Sequence, residues 1–420
     1  MPALFTRYPN SQHKRGSTPD SSWRYVLAFL RSSVIVILLT VGCGGGLLDP
    51  SLAHAAAPAS GEFTATSVNE DASFLEASTV FEEPFQCLGE RSPTHDEETA
   101  ILRDILTEYG DQDDAESLDE FLHFTALYPD SAWRTAVLTN IGLAYRRSGY
   151  TSRALSLFQQ AWETAWDIAL YEDDGWPDQA AATLGSRAVG ELAELYARLG
   201  RVDALEALLL EVDRDHLSGP ATAQLTRASE GLSQMLNRPE RAFRCGPLAV
   251  GSILARVRPE DAEARATVEA TGSLSNGLPL TELARLADTI ELGLQMAFRT
   301  QGAALQVPSV VHWRAHHFAA ILQVQPGSEE PFYLVQDPTF GHRRWLSQRA
   351  IEEEASGYFL IPQGALPSGW RPVDDAEGNT VWGSGYTDSS DPEETSEDSE
   401  KAKGEPCSKG MAVICDQLRV

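Results

Sequence analysis

The spacing of apolar residues changes character along the chain. Between residues 98 and 238 apolar side chains recur every three or four positions, as in residues 118–127, and this predicts amphipathic helices. Within residues 239–363 a helical period near Cys245 is followed by short apolar runs such as residues 318–322, which are typical of buried strands. We therefore expect an α+β fold class, with an all-α domain followed by a domain that combines a helical half with an antiparallel sheet.

The two ends of the chain show a different composition. Residues 1–55 contain a basic stretch and then an apolar run whose uninterrupted part, residues 34–41, is short for a membrane span. We predict a signal peptide or membrane anchor there. Residues 56–97 are rich in Ala, Ser, Thr and Glu and are predicted to be a linker. Residues 364–420, rich in Gly, Pro, Ser, Asp and Glu, are predicted to be a disordered acidic tail.

Three outcomes stay open for the N-terminal segment. Ala53-His54-Ala55 fits a small-x-small cleavage site. Thr40-Val41-Gly42-Cys43 resembles a lipobox without its usual leucine, which implies a lipid on Cys43. An uncleaved anchor is the third outcome. All three predict an extracytoplasmic location, whether periplasmic, cell-envelope or secreted, and two of them include membrane attachment.

Net charge and cysteine spacing exclude several functions. The chain carries a formal charge of -28, so we expect no nucleic-acid partner, because phosphate binding needs clustered Lys and Arg. The five cysteines contain no CxxC pair and no His at metal-ligand spacing, so no metal site is predicted. A disulfide framework is not expected in a chain of this length, although one Cys407–Cys415 pair stays open.

One part of the helical region resembles a tetratricopeptide repeat. The matching residues are Leu138, Ile141, Gly142, Tyr145, Gly149, Ala154, Phe158 and Ala161. A second, degenerate copy spans residues 182–212, in which Tyr196 and Gly200 correspond to Tyr145 and Gly149, with an acidic insertion at residues 171–178. The resemblance implies a helical-repeat scaffold that binds a protein partner. A helical bundle without repeats stays open.

The candidate chemistry begins at Cys245. The segment Cys245-Gly246-Pro247 opens a predicted helix, and Pro247 suits its first turn. A cysteine at a helix N-terminus is stabilised as a thiolate, which is the form that acts as a nucleophile. The alternative is a small buried side chain without chemistry.

Two further segments supply partners for this thiol. His317 stands at the start of one predicted strand, and Asp337 ends the next, before Pro338. Adjacent antiparallel strands place these two residues side by side, so that the carboxylate orients the imidazole. Cys245, His317 and Asp337 then form a candidate catalytic triad that needs no cofactor. His316 is expected on the opposite face of the strand, and His312 is expected to be a packing residue.

These segments resemble the bacteriocin-processing cysteine peptidases, papain-like domains that cleave double-glycine leader peptides. The correspondence covers residues 240–363 and rests on Cys245-Gly246-Pro247, His317-Phe318 and Gln336-Asp337-Pro338 with Gly341. It implies a papain-like fold, Cys245 as nucleophile, His317 as general base and acid, and Asp337 as the orienting acid. It also implies a protein or peptide substrate.

The chain departs from the family at the oxyanion donor. Where active members carry Gln, this chain has Pro239, and the nearest upstream Gln is Gln234. Arg241 and Arg244 are candidate substitutes. Three functions therefore stay open: a peptidase, a catalytically weak or inactive module that binds peptides, and an acyl transferase of transglutaminase type. The stretch beginning at Cys407 resembles the stretch that opens the repeat region of rearrangement-hotspot (YD-repeat) proteins, which implies that this chain corresponds to the N-terminal part of such a protein or to a truncated paralogue.

Overall fold

A computed structural model describes residues 65–89, 91–111, 118–171, 179–327 and 330–387. The chain divides into two units, residues 1–62 and 63–420, and the described residues all belong to the second. The predicted N-terminal segment with Cys43, most of the acidic insertion, and the tail beyond residue 387 with Cys407 and Cys415 lie outside them. No helix within the described ranges is long and apolar enough to cross a membrane.

Residues 65–238, here called the helical region, contain eight α-helices among the described residues. They are α1 (Ala65–Ala77), α2 (His95–Asp111), α3 (Leu118–Leu127), α4 (Arg134–Ser148), α5 (Thr151–Tyr171), α6 (Gln179–Arg198), α7 (Val202–Glu211) and α8 (Ala221–Asn237). Consecutive helices pack together and enclose one apolar core that includes Trp133, Phe121 and Leu192. The expected close approach of α4 and α5 is present, because a Cβ at Gly142 would lie 2.8 Å from the Phe158 ring.

The turns after α4 and α6 have the same backbone geometry. Gly149 and Gly200 both adopt a left-handed conformation, with φ of 90° and 64°. Behind each glycine a 6→1 hydrogen bond closes the helix, from Tyr150 N–H to the Tyr145 carbonyl and from Arg201 N–H to the Tyr196 carbonyl. This is a Schellman motif, in which glycine meets the backbone requirement without strain. Two helix–turn–helix units with one turn geometry therefore follow each other.

Residues 239–387, here called the sheet region, begin with short helices. These are α9 (Pro239–Ala242), α10 (Cys245–Val257), α11 (Ala262–Ala270) and α12 (Leu280–Thr289). The seven strands of the main sheet are β2 (Leu294–Arg299), β3 (Ser309–Trp313), β4 (Phe318–Gln325), β5 (Phe332–Asp337), β6 (His342–Ser347), β7 (Ala355–Pro362) and β8 (Trp370–Pro372). The remaining elements are β1 (Leu278–Pro279), α13 (Gln348–Glu354), α14 (Asp375–Gly378) and β9 (Trp382–Gly383).

The main sheet is antiparallel, with strand order β6-β5-β4-β3-β7-β2-β8, and β1 pairs with β9 in a second, two-stranded sheet. Helix α10 packs against β4, so its apolar face shares a core with Val310, Phe318 and Leu360. The fold is therefore mixed helix and antiparallel sheet, which agrees with the expected α+β class.

The predicted linker at residues 56–97 is wrong over much of its described length. Helix α1 lies within it, and Leu75, Phe85 and Leu88 are buried. These apolar residues are too widely spaced to show a period. They are nevertheless buried, because irregular chain can lie against helices and fill the gaps between them.

The predicted start of the disordered tail at residue 364 is also wrong. Residues 364–387 include β8, which pairs with β2, and Trp370, Val373, Val381 and Tyr386 are buried. The composition of the whole tail is dominated by the acidic run after residue 387, and it conceals these few apolar anchors.

The helical region packs directly on the sheet region. A Cβ at Gly149 would lie 2.5 Å from Leu346 of β6, so the first glycine turn contacts the sheet edge closely. The Glu354 carboxylate accepts the Ser152 N–H at 2.9 Å, at the start of α5, and Arg153 pairs with Glu353. A carboxylate at a helix N-terminus satisfies an otherwise unpaired donor and interacts favourably with the helix dipole.

Candidate active site

The Cys245 thiol lies at the first residue of α10 and is fully buried. The sequence permits this position because Gly246 and Pro247 form the first turn. A Cβ at Gly246 would lie 2.6 Å from Leu283 Cδ2, so the lack of a side chain at Gly246 lets this leucine of α12 pack against the first turn of α10. Pro247 lacks an N–H at a position where the helix leaves N–H groups unpaired in any case.

His317 and Asp337 form a buried hydrogen-bonded pair. His317 ends the loop between β3 and β4, Asp337 ends β5, and the antiparallel pairing of β4 with β5 brings them together. The distance from His317 Nε2 to Asp337 Oδ2 is 2.9 Å, and Asp337 Oδ1 accepts the Thr339 N–H at 3.0 Å. Burial by itself raises the pKa of Asp337, but the charge and hydrogen bond of His317, with Arg344 and Thr339, hold that pKa below its ordinary value.

The thiol and the imidazole meet at a single glycine. A Cβ placed on Gly385 would lie 2.7 Å from the Cβ of His317 and 3.2 Å from the Cβ of Cys245. The two side chains therefore flank one backbone position. Because Nε2 contacts Asp337, the nitrogen left for the thiol is Nδ1, which has no hydrogen-bond partner within the described residues. The structure places the side chains of Cys245 and His317 around this glycine and joins His317 to Asp337, and it shows no hydrogen bond between the thiol and Nδ1.

The surroundings of the thiol disfavour its ionised form. Complete burial raises the pKa of Cys245 to about 11, and Asp337 contributes in the same direction. Hydrogen bonds from the backbone N–H groups of Phe318, Gly385 and Gly246 lower the pKa but do not compensate for burial. At pH 7 about one thiol in ten thousand is then a thiolate.

Residues 382–387, here called the cleft segment, cover the site. Ser384 N–H donates to the His316 carbonyl at 2.9 Å, Tyr386 N–H to the Arg198 carbonyl at 2.9 Å, and Thr387 N–H to the Ala242 carbonyl at 2.8 Å. The segment therefore runs between the glycine turn after α6 and the β3–β4 loop. Sequence reasoning missed it because it was assigned to the tail. The available signal was Trp382-Gly383-Ser384-Gly385-Tyr386, two aromatic residues around two glycines before the acidic run.

His312 and His316 also contact this segment. His312 Nε2 lies 2.8 Å from the Trp382 carbonyl and Nδ1 lies 2.8 Å from Ser356 Oγ, so Nε2 carries the proton and Nδ1 accepts from the hydroxyl. Burial lowers the pKa of His312 to about 4. The expectation that His312 is a packing residue is therefore incomplete, because it also holds the segment. His316 is exposed, in a left-handed conformation with φ of 63°, and holds the segment through its carbonyl.

The candidate oxyanion donors do not reach the thiol. The Arg244 guanidinium donates to the carbonyls of Val268, Glu269 and Thr271 at the end of α11. Arg241 is exposed, and it lines a surface depression together with Gln234. The suggestion that Arg244 replaces the missing Gln is therefore wrong, because its donors are already used as a C-terminal helix cap.

The other groups that could take part in chemistry are metal ligands and a second thiol. Within the described residues no cluster of three or more His, Cys, Asp or Glu side chains is arranged to hold a metal ion. The second thiol there, Cys87, is half-buried in the helical region, and burial raises its pKa to about 12. What the site can do is transfer a proton from Cys245 to His317 while Asp337 holds the imidazolium.

Comparisons of the chain with protein-family models, with curated proteins and with solved structures find no match.

Proposed function

We propose that residues 239–387 are a papain-like cysteine peptidase domain that hydrolyses a peptide bond in a protein or peptide substrate. The observation that supports this most strongly is the convergence of three residues on one backbone position: Cys245 at a helix N-terminus, His317 beside it, and Asp337 on the far side of the imidazole. This arrangement suits nucleophilic catalysis better than a structural role, since a buried imidazole nitrogen without a partner is costly.

In the proposed reaction each residue has one task. His317 Nδ1 takes the proton of the Cys245 thiol, and the sulfur attacks the carbonyl carbon of the substrate. Asp337 accepts the Nε2–H, which keeps Nδ1 free as the base and stabilises the imidazolium. The imidazolium then protonates the leaving amine, and water hydrolyses the thioester. The backbone donor that this proposal assigns to the developing negative charge is the Cys245 N–H at the start of α10, since Pro247 has no N–H and the Leu248 N–H donates to the Arg244 carbonyl.

The helical region, which we propose to be built from tetratricopeptide-like repeats, packs against the cleft segment. Its second glycine turn contacts the backbone of the cleft segment, and the Arg198 carbonyl accepts a hydrogen bond from it. A peptide between the two regions therefore contacts both. We also propose, from the N-terminal sequence, that the protein is exported, with membrane attachment by that segment or by a lipid on Cys43 as one route.

The second candidate is a peptide-binding module without catalysis. Two observations favour it: burial holds the pKa of Cys245 at about 11, and the Arg244 guanidinium is engaged elsewhere. Loss of one oxyanion donor typically costs roughly a hundred- to a thousandfold in rate.

A peptidase assay on an opened site separates the two candidates. The substitution Gly385→Val displaces the cleft segment, because the added side chain overlaps His317 and Thr339. The variant is incubated with a mixture of unrelated peptides at pH 7 to 9, and products are identified by mass spectrometry. Cys245→Ala, His317→Ala and Asp337→Asn are introduced into the same background, with near-ultraviolet circular dichroism as the check on folding.

Hydrolysis that requires Cys245 and His317 is the expected result. Peptide binding by a folded protein, without turnover at any pH in this range, would support the binding module and refute the peptidase.

A further inference from the structure

We propose that the cleft segment is a substrate of the site it covers, and that Cys245 cleaves this chain between Ser384 and Gly385. The proposal rests on the proposed peptidase function and names a substrate for it. It explains why an ordered stretch of chain passes between the candidate nucleophile and the helical region immediately before the acidic run.

The segment fits the cleft because two of its residues have no side chain. A Cβ at Gly383 would overlap the Phe318 ring, with Cε2 only 2.5 Å away. A Cβ at Gly385 would overlap Thr339 Oγ1 and lie 2.7 Å from the Cβ of His317. Ser384, between them, is half-buried. The cleft therefore selects a Gly-x-Gly sequence at this place, and the chain supplies one.

The backbone of the segment is held as an added strand. Leu278 pairs with Gly383 and Pro279 with Trp382 in an antiparallel ladder, and His312 and His316 bind the carbonyl and N–H on either side of Gly383. Main-chain hydrogen bonding of this kind, with pockets that select alternate side chains, is how strand addition recognises extended peptides.

The register places one peptide bond beside the sulfur. The Gly385 N–H donates to the Cys245 sulfur, so the Ser384–Gly385 amide lies against the thiol. On the other side of this bond the Ser384 N–H is held by the carbonyl of His316, the neighbour of His317. Ser384–Gly385 is therefore the peptide bond whose N–H faces the thiol. Its carbonyl oxygen lies against the Gly200 turn, so this amide has to rotate before the sulfur can attack its carbonyl carbon.

The reaction balances with water as the co-reactant. The thiol proton passes to His317 Nδ1, a C–S bond forms at the Ser384 carbonyl carbon, and the C–N bond to Gly385 breaks as its nitrogen takes the proton. Water then cleaves the thioester, which leaves a carboxylate on Ser384 and returns the proton to the sulfur. The products are a chain that ends at Ser384 and a fragment that begins at Gly385.

The experiment follows the purified full chain over days at pH 7, 8 and 9 by intact mass and N-terminal sequencing. Cys245→Ala is the chemical control. Gly272→Val is the matched control for a glycine substitution, because a Cβ there meets Glu240 at ordinary contact distances of 3.4 and 3.6 Å and no positive φ is involved. Both controls are compared with Gly385→Val.

We expect the natural chain and Gly272→Val to produce a fragment that begins at Gly385. Cys245→Ala and Gly385→Val should produce at least tenfold less of this fragment than the natural chain. If the natural chain stays intact while Gly385→Val hydrolyses unrelated peptides, the site is a peptidase but the segment is only a cover, and this inference fails. If the natural chain stays intact and a folded Gly385→Val also hydrolyses nothing, the proposed function fails with it. Cleavage that persists in Cys245→Ala would also overturn the inference.

Discussion

Adding one methyl group at residue 385 should uncover the thiol. The Cβ of Gly385→Ala overlaps Thr339 Oγ1 and lies 2.7 Å from the Cβ of His317, and the second of these atoms is bonded directly to the backbone and cannot move aside by a side-chain rotation. Overpacking of this kind costs about 1–3 kcal/mol. The backbone hydrogen bonds of Ser384, Tyr386 and Thr387, which are part of what holds the segment, contribute about 1 kcal/mol each, so the substitution weakens this hold by a comparable amount.

The change in reactivity follows from the thiol pKa. Burial raises the pKa of Cys245 to about 11, and its ordinary value is 9.0. Exposure therefore increases the thiolate fraction at pH 7 about 100-fold, since each pH unit below the pKa changes that fraction about tenfold. We expect iodoacetamide to alkylate Cys245 about 100-fold faster in Gly385→Ala than in the natural chain, with access adding to this factor.

The assay is the time course of alkylation at pH 7, read residue by residue by peptide mapping. Cys87 is the internal control, because its surroundings in the helical region do not involve the cleft segment. Gly272→Ala is the control for the substitution itself. Equal Cys245 rates in Gly385→Ala and the natural chain, or rapid alkylation of Cys245 in the natural chain at pH 7, would refute the idea that this segment covers the thiol.

Three further predictions concern the contacts around the site. Burial lowers the pKa of His312 from 6.5 to about 4, so between these pH values the unfolded chain binds a proton that the folded chain does not. The free energy of unfolding should therefore decrease as the pH falls from 6.5 toward 4, by about 3 kcal/mol at most. Urea unfolding at pH 7 and pH 4.5 measures this decrease. His312→Gln should remove the part of the decrease that comes from His312, whereas His216→Gln, at an exposed position, should leave it unchanged. Gly200→Ala should accelerate Cys245 alkylation at least tenfold, because the added Cβ overlaps the backbone of the cleft segment. Gly293→Ala is the control, since Gly293 has the same φ of 64° but nothing within 4 Å of its Cβ position, and it should not accelerate alkylation. Equal effects of the two substitutions would mean that backbone strain alone is responsible. Asp337→Asn in the Gly385→Val background should slow Cys245-dependent hydrolysis at least tenfold. The substitution removes the negative charge that stabilises the imidazolium, and, because the Thr339 N–H keeps the amide oxygen, it turns an NH2 donor toward Nε2. An unchanged rate would remove Asp337 from the proposed mechanism.

Local sequence was sufficient for some elements of the site and misleading for others. Gly246 and Pro247 indicate where a helix begins, and β4 and β5 are apolar runs close enough in sequence to pair, so the placement of Cys245, His317 and Asp337 could be anticipated. Arg244 is adjacent to the thiol in sequence, yet its guanidinium points to the end of α11. Adjacency in a chain does not determine the direction of a long side chain, because that depends on which carbonyls tertiary packing leaves unpaired.

The sequence by itself determined the type of each element. Helices form where apolar residues recur every three or four positions, and strands form in the short apolar runs. Glycine stands where a turn needs a left-handed residue, as at Gly149 and Gly200. Only the tertiary structure decided that residues 382–387 return to the cleft. Their anchors are the carbonyls of Ala242, Arg198 and His316, which are far away in sequence and become neighbours only after both regions have packed. The periodicity of apolar residues does not encode such contacts, because the hydrogen-bond partners of a single extended strand come from distant parts of the chain.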